Sequence, residues 1–569
     1  MLRPSASLMW KTLALQMLSG APAHWSAASI AYRKGVTPLA SLMPATTRRT
    51  PMNRFVEKYS RKLIGVISGF DRLVLKGTLR PLSYPAGMMS FLYEKEVLLK
   101  DFGSYAEQTS ELVKEASQQE AAHLERINRY LESSKPRKEP IARAIAEKQD
   151  IQQGLVCLLR VVEPCMGYDI HRNRETHTLE LVKRQRKCLW IYHYWIDERW
   201  GFMSARIQTW FPFDVYLCLN GREWLGQQMD RAGIGYRRIE NCFPWIGDVE
   251  EAQRLMSAQP RARWLRPLRQ VARMLNPVHG RIFRGLPIEY YWTVHQAEWA
   301  TDLMFRHPAE LAAMYPALVR GAMECFSSPE VMRFLGKRVH GNFTGEVVSE
   351  VCHRPEGICV KHRVKANSVK MYDKGGGSVL RIETTINDPS DFKVFRPLEG
   401  NPGGEKAWRP LVRGIANMRR LAKVAQSSND RYLNELAALD TAAPISALVD
   451  RVCRPIDWEG RRVRALRPWS EDDRLLLKAI SRGEFAVGGL RNRDLLPLLF
   501  PEASMLPAEQ RRRYSGRVTR KLRMLRAHGI IRKVTGTHRY LLTKGGAQTA
   551  MAILRYQQVS LAQLEKACA

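Results

Sequence analysis

The 569-residue sequence predicts a multidomain α+β protein with an antiparallel sheet core, helical insertions and a separate helix-rich C-terminal domain. Three observations support this fold class. The chain is too long for one hydrophobic core, several segments alternate apolar and polar residues like strands, and amphipathic helical stretches separate them. We expect five segments: a disordered extension or misassigned start (1–51), a strand with a helical arm (52–154), an α+β sheet domain (155–440), a linker (441–469) and the C-terminal domain (470–569).

The charge balance points to a polyanionic partner. Lys and Arg total 90 against 56 Asp and Glu, which gives a net charge of +34. The positive electrostatic field of such a protein attracts nucleic acid, the commonest polyanion. Apart from the N-terminus, the sequence contains no apolar run long enough to cross a membrane, so we expect a cytoplasmic protein without a membrane partner. The ten cysteines are scattered and contain no CxxC pair, which argues against a zinc knuckle.

The first 51 residues differ in composition from the rest. They contain no Asp or Glu, and "TLALQMLSGAPA" imitates a signal peptide. A transit-like tail and a start codon placed too far upstream explain the same features. The misplaced start is favoured, because the sequence from Met52 has the pattern of a domain start and secretion suits a nucleic-acid binder poorly.

Residues 63–79 predict a strand with glycine breaks, and residues 86–150 predict a polar helical region. That region is either a solvated arm or an arm that follows a phosphate backbone. Residues 249–340 are expected to be mainly helical, and further helices are expected from about 408 to 440.

An aromatic-rich hairpin is predicted from 188–196 and 202–210, joined by "DERWG". Its rings are either a core with a basic rim or faces on which the bases of a single strand stack. Asp197 and Glu198, in the turn, are second-choice metal ligands. The interspersed cations are Lys183, Arg184, Arg186, Lys187, Arg206 and Arg222.

The stretch "SVKMYDKGGGSVLRIETTI" belongs to a predicted four-strand meander with glycine turns. With a period of two, Val369 and Met371 point to one face and Lys370, Tyr372 and Lys374 to the other. On neighbouring strands, the charged face also receives Lys361, Arg363, Lys365, Arg381, Glu383 and Thr385. This face is either a solvated surface or a basic platform that holds a tyrosine and a carboxylate.

The second interpretation assigns chemistry to the platform. A tyrosine hydroxyl such as that of Tyr372 can attack a phosphodiester, and the nearby Lys374 and Arg381 would stabilise charge on the phosphate. Glu383 could hold Mg²⁺ or Mn²⁺. Asp373 and His362 are the weaker ligand candidates. The alternation of side chains along the strand places Asp373 on the apolar face of the sheet.

The phrases "SVKMYDK" and "LRIETTI" resemble the strand pair of rolling-circle replication initiators of the plasmid and filamentous-phage type, which show Tyr-Asp-Lys and then Arg-x-Glu. The resemblance is confined to residues 368–386. It implies a sheet-based nickase that uses tyrosine and a divalent metal, and the matching residues here are Tyr372, Asp373, Lys374, Arg381 and Glu383. The His-x-His metal motif of many related nickases is absent, which puts the metal site in doubt.

The C-terminal domain has the most regular pattern. A helix begins after Ser470, "FAVGGL" predicts a strand and "RNRDLLPLLF" a second helix. A third helix covers about 508–528, and "IIRKV", "TGTH" and "RYLLT" predict a hairpin. This order resembles a winged helix-turn-helix domain and implies DNA binding, although a protein-docking role or a merely solvated face would leave the same pattern.

The third helix and the hairpin carry the expected DNA contacts. Ten basic residues and no acidic ones lie between Arg511 and Lys533, and such a helix suits a major groove. The expected contacts are Arg513, Arg517, Arg520, Lys521, Arg523, Lys533, His538 and Arg539, together with Lys361, Arg363 and Lys370 on the sheet.

Three functions remain open from the sequence. The first is a mobile-element or replicon protein that binds DNA and nicks one strand with Tyr372 as the nucleophile. The second is a non-enzymatic winged-helix regulator, and the third is a binder of structured RNA. Phosphate-loop, zinc-protease, serine-esterase and dinucleotide motifs are missing, and no organic cofactor is expected.

Overall fold

The structure is a computed structural model that describes residues 53–326, 328–336, 347–354, 357–398, 401, 403–437, 449–482, 485 and 489–556. The expectations for residues 1–51 lie outside these ranges. The described chain divides into two compact units, which are treated separately below. Unit 1 comprises residues 66–300 and 385–426, and unit 2 comprises residues 53–65, 301–384 and 427–556.

The strands of both units are β1 Leu63–Leu79, β2 Ile127–Leu131, β3 Gly154–Arg172, β4 Leu179–Asp197, β5 Gly201–Gln208, β6 Val215–Asn220, β7 Tyr236–Ile239, β8 Cys242–Ile246, β9 Tyr290–Phe305, β10 Val347–Arg354, β11 Gly357–Val364, β12 Asn367–Lys374, β13 Val379–Ile386, β14 Lys393–Arg396, β15 Ala407–Pro410, β16 Ile456–Trp458, β17 Arg461–Val463, β18 Ile531–Lys533 and β19 Tyr540–Leu542. The α-helices are α1 Arg54–Lys58, α2 Pro85–Glu94, α3 Phe102–His123, α4 Lys138–Lys148, α5 Gly221–Arg231, α6 Val249–Ala258, α7 Leu265–Leu275, α8 His279–Ile282, α9 Pro308–Cys325, α10 Ser328–Phe334, α11 Met418–Ala437, α12 Glu471–Ile480, α13 Asn492–Leu499, α14 Ala508–Ala527 and α15 Lys544–Tyr556. The fold is therefore mixed α+β.

The main sheet of unit 1 has the strand order β9–β1–β6–β5–β4–β3–β2. Its predicted hairpin is confirmed, because β4 and β5 pair antiparallel with Asp197 opposite Gly201. The sheet is mixed and not wholly antiparallel as predicted, since β2 runs parallel to β3 with Ile127 opposite Cys157. Helix α4 provides the crossover that a parallel pair requires.

Two segments of unit 1 differ from the helical prediction. The region 86–150 contains the strand β2, and its longest helix, α3, buries Phe102, Ala106 and Val113 and is not a solvated arm. The region 249–340 contains β9, whose residues from Ala297 onward are all buried. A strand covered on both faces lacks the alternation that would distinguish it from a buried helix.

The sheet of unit 2 has the strand order β10–β11–β12–β13–β9. The four-strand meander is confirmed, with Val364 opposite both Val347 and Asn367. The turn after β12 depends on glycine, because positions 375–377 all have φ between 63° and 81°. Every residue of β13 is buried, so both faces of this strand are covered.

The C-terminal part of unit 2 has its own hydrophobic core, in which Leu476, Leu495, Val518 and Leu522 are buried. The predicted helices are present as α12, α13 and α14. Strands β18 and β19 form the predicted hairpin, and Leu490 bridges to Tyr540. Half of the predicted strand at 485–490, residues 486–488, lies outside the described residues.

Among the described residues no helix combines the length and the apolar character needed to cross a membrane.

Candidate functional site

The tyrosine and the carboxylate that the sequence singled out lie side by side in unit 2. The hydroxyl of Tyr372, on β12, donates a hydrogen bond of 2.5 Å to Oε2 of Glu383, on β13. The ammonium of Lys370 donates to the other carboxylate oxygen at 2.7 Å. Glu383 is only 2% exposed, whereas Tyr372 is half-buried and reaches the surface. A surface phenol is thus anchored to a buried carboxylate whose second oxygen is held by a lysine.

Glu383 is ionised in this setting. Burial alone would raise its pKa, but the Lys370 ammonium, the hydrogen bonds from Lys370 and Tyr372 and the Arg381 guanidinium outweigh burial and hold the pKa below its ordinary value. The ionised carboxylate therefore orients the phenol by accepting its hydrogen bond.

Arg381 does not lie on an exposed platform as predicted. It is 0% exposed, and its Nε and Nη2 donate to the two carboxylate oxygens of Asp302, on β9, at 2.6 and 2.7 Å. Thr385 is also buried. Among the described residues, the expected basic face is accessible on β11, on β12 and in the turn between them, where Arg363 and Lys365 are exposed and Lys361 and Lys374 are half-buried.

The three metal ligands suggested by the sequence do not converge. His362 lies opposite Val369 in the β11–β12 register and therefore shares the apolar face with Met371. Its ring nitrogens contact the hydroxyls of Ser349 and Tyr432 at 2.8 and 3.2 Å. Asp373 also belongs to that face by alternation, and burial raises its pKa. Glu383 bonds to Lys370 and Tyr372 on the other face, so the three groups cannot share one ion.

A pair of acidic residues that the sequence prediction missed lies in unit 1. Asp71 on β1 and Glu298 on β9 have carboxylate oxygens within 4.8 Å of each other, and both residues are at least nine-tenths buried. Asn241 donates to Asp71 at 2.8 Å and Gln296 donates to Glu298 at 2.6 Å. Two carboxylates this close are potential ligands for a divalent cation. The sequence does not indicate this pair, because its pattern predicts helix in the region where β9 lies.

The predicted DNA contacts on α14 are mostly accessible. Arg513, Arg517 and Arg520 are exposed, and the Arg517 guanidinium lies 4.4 Å from the ring centroid of Phe500. Arg523 is half-buried. Lys521 points inward instead, is 7% exposed and pairs with Asp472. On the hairpin, Lys533 and His538 are exposed and Arg539 is half-buried.

The residues of the aromatic hairpin in unit 1 have diverse surroundings. Arg222 is fully buried. The guanidinium of Arg186 stacks on Trp210 at 3.7 Å, and Arg184 pairs with Asp169 at 2.6 Å. Asp197 accepts hydrogen bonds from two backbone amides of its own turn. Glu198 pairs with Arg231 at 3.2 Å, so neither turn carboxylate is arranged around an ion site.

Neither a protein-family model nor a curated protein nor a solved structure matches the chain.

Proposed function

We propose that the protein binds duplex DNA through residues 470–556, which act as a winged helix, and that it belongs to a mobile element or replicon in the cytoplasm. The observation that carries this proposal is the exposed row of Arg513, Arg517 and Arg520 on α14. These side chains project from a helix whose opposite side packs into the local core through Val518 and Leu522.

The geometry suits a major groove. Positions 513, 517 and 520 are separated by four and three residues, so the three guanidinium groups lie on one face of the helix. Arginine can contact guanine or two phosphate oxygens with both arms of its fork. The hairpin adds Lys533 and His538, both exposed, which could reach the neighbouring backbone.

Binding to a labelled duplex tests this function when it is measured by fluorescence anisotropy over a salt series. The variant Arg513→Gln/Arg520→Gln should weaken binding and reduce the slope of log K against log salt by about 2, close to one unit for each phosphate that is no longer neutralised. A matched control, Arg254→Gln/Arg333→Gln, removes two exposed arginines elsewhere and should leave the slope unchanged.

Equal duplex affinity of the two double variants would refute the α14 interface. A folded RNA measured at the same salt distinguishes the third function, because tighter binding of RNA than of duplex would favour an RNA-binding protein.

A second activity, DNA nicking, is favoured by the hydrogen bond between Tyr372 and Glu383. Hydroxyl nucleophiles are activated when the hydroxyl is hydrogen-bonded to a general base and a third group orients that base. Here Tyr372, Glu383 and Lys370 have this arrangement. In the proposed step the Tyr372 oxygen bonds to the phosphorus of a phosphodiester and its proton passes to Glu383. The bond from phosphorus to the leaving sugar oxygen breaks, and that oxygen takes up a proton from water and leaves as a free hydroxyl.

The nicking step is tested on supercoiled and single-stranded DNA with Mg²⁺ or Mn²⁺. Protein with Tyr372 should nick and remain covalently attached to a DNA end in a denaturing gel, and Tyr372→Phe should do neither. Tyr93→Phe, at a tyrosine that is 65% exposed, is the matched control. Intact binding without cleavage by the unmodified protein would favour the non-enzymatic regulator.

A further inference from the structure

One face of the sheet in unit 1 carries a row of alternating rings and cations. In the strand registers Tyr192 lies opposite Arg206, Arg206 opposite Tyr216, and Tyr216 opposite Lys76. The Arg206 guanidinium lies 4.4 Å from the ring centroid of Trp190 and 4.9 Å from that of Tyr216. The row thus crosses four neighbouring strands with its charges held beside aromatic rings.

Carboxylates fix these cations from the protein side. Glu163 accepts hydrogen bonds from Arg206 at 2.8 Å and from the Tyr192 hydroxyl at 2.7 Å. Asp214 pairs with Lys76 at 2.6 Å. The side chains of Glu163 and Asp214 are 12% and 7% exposed, whereas those of Arg206 and Lys76 are 32% and 27% exposed. The negative ends are therefore buried and the positive ends remain open to solvent.

More cations adjoin the row than its two carboxylates can neutralise. Lys138 shares Glu163 with Arg206. The exposed His295 ring lies 5.1 Å from that of Tyr216, and Arg413 is also exposed. Partial desolvation of the ring lowers the pKa of His295, and the positive charges of Lys76, Arg413 and Arg206 lower it further, so these groups concentrate positive potential at one place.

Two buried polar atoms at the row lack a hydrogen-bond partner among the described residues: Nε1 of Trp190 and Oδ1 of Asp214. Trp190 lies opposite Gln208, whose backbone N–H donates to the carbonyl of Asp214, so both atoms belong to the same part of the sheet. Buried groups of this kind are ordinarily satisfied by water or by a ligand. These two atoms and the excess positive charge are the features of this face that favour a polyanionic ligand.

We propose that this face, defined by Lys76, Tyr192, Arg206, Tyr216, His295 and Arg413, binds single-stranded nucleic acid. The cations would contact phosphates, and the accessible ring edges of Tyr216 and His295 would contact bases. A sheet with aromatic and basic residues suits an unpaired strand, because its bases can turn toward the protein while its backbone follows the cations. This extends the proposed nucleic-acid function to a second surface but does not depend on α14.

The test uses the full chain carrying Arg513→Gln/Arg520→Gln, so that duplex binding through α14 does not mask the second surface. His295→Ala and Arg413→Ala are added together, because both side chains are exposed and neither substitution breaks a buried ion pair. The probes are labelled oligothymidylate and oligouridylate of about 20 nucleotides, a length that exceeds one single-strand site. Comparison of the two probes distinguishes DNA from RNA as the source of the strand.

We expect the added pair to weaken single-strand binding about tenfold at moderate salt, because Arg413 no longer neutralises a phosphate and the His295 ring no longer contacts a base. Arg254→Ala/Arg333→Ala, in the same background, should retain the parent affinity. Circular dichroism and thermal unfolding confirm that each variant is folded.

Unchanged single-strand affinity in the His295/Arg413 variant would overturn the proposal. Equal loss of duplex and single-strand binding would overturn the preference for an unpaired strand. If the α14 substitutions leave duplex affinity intact while the sheet substitutions lower single-strand affinity, the winged-helix function fails and this inference stands.

Discussion

Replacing Arg381 by Met should destabilise unit 2 severely, because it leaves the buried Asp302 carboxylate without its paired cation. Arg381 is fully buried and the Asp302 side chain is 3% exposed. The carboxylate loses two hydrogen bonds, of 2.6 and 2.7 Å. Removing one partner of such a buried pair typically costs about 3–5 kcal/mol, far more than for an ion pair at the surface.

The magnitude is measured as the free energy of unfolding in urea, with Arg381→Met compared with the double variant Arg381→Met/Asp302→Leu. The double variant removes both charges, so it should recover a large part of the missing stability even though it has two substitutions. Arg381→Lys restores the charge but not the two-pronged contact, and should lie between the parent and the Met variant.

A loss of less than about 1 kcal/mol in Arg381→Met, a value typical of surface pairs, would refute this reasoning. A double variant no more stable than Arg381→Met would do the same, since the cost would then not come from the loss of the Arg381–Asp302 ion pair at a retained Asp302 carboxylate. A fully stable Arg381→Met that had lost only DNA cleavage would show that Arg381 acts on the phosphate, as the initiator resemblance implies.

Three further predictions concern unit 2. Burial lowers the pKa of His362 from 6.5 to about 4. Between these two pH values the imidazole is protonated in the unfolded chain but not in the folded one, so the free energy of unfolding should fall by about 3 kcal/mol as the pH is lowered from 6.5 to 4. His362→Phe should flatten that part of the pH profile relative to the parent. Ser470→Ala removes the side-chain cap on the Asp473 amide and should cost about 1 kcal/mol in urea unfolding, while Ser470→Asp should retain the cap. Asn429→Leu should cost about 2 kcal/mol or more, because the buried Thr384 hydroxyl loses its acceptor at 2.6 Å; a neutral effect on the melting temperature would contradict this.

Local patterns in the sequence were sufficient for several elements. The period-two alternation predicted β11 and β12, and the triplet of glycines predicted the turn before β13. The acidic residues after Ser470 predicted the start of α12, and the Ser470 hydroxyl does cap that helix. These features depend on neighbours within a few residues, so the chain order contains the information.

The tertiary structure alone decided which charges meet. Alternation placed Glu383 and Arg381 on one face, but it could not show that β13 is covered on both sides or that Asp302 lies beside Arg381. It likewise could not find β9 or pair Asp71 with Glu298, since these residues are more than 200 positions apart. Whether a charge faces solvent or a buried partner depends on the element packed against it. Tyr372 and Glu383 could be named from the sequence, but the hydrogen bond between them required the sheet.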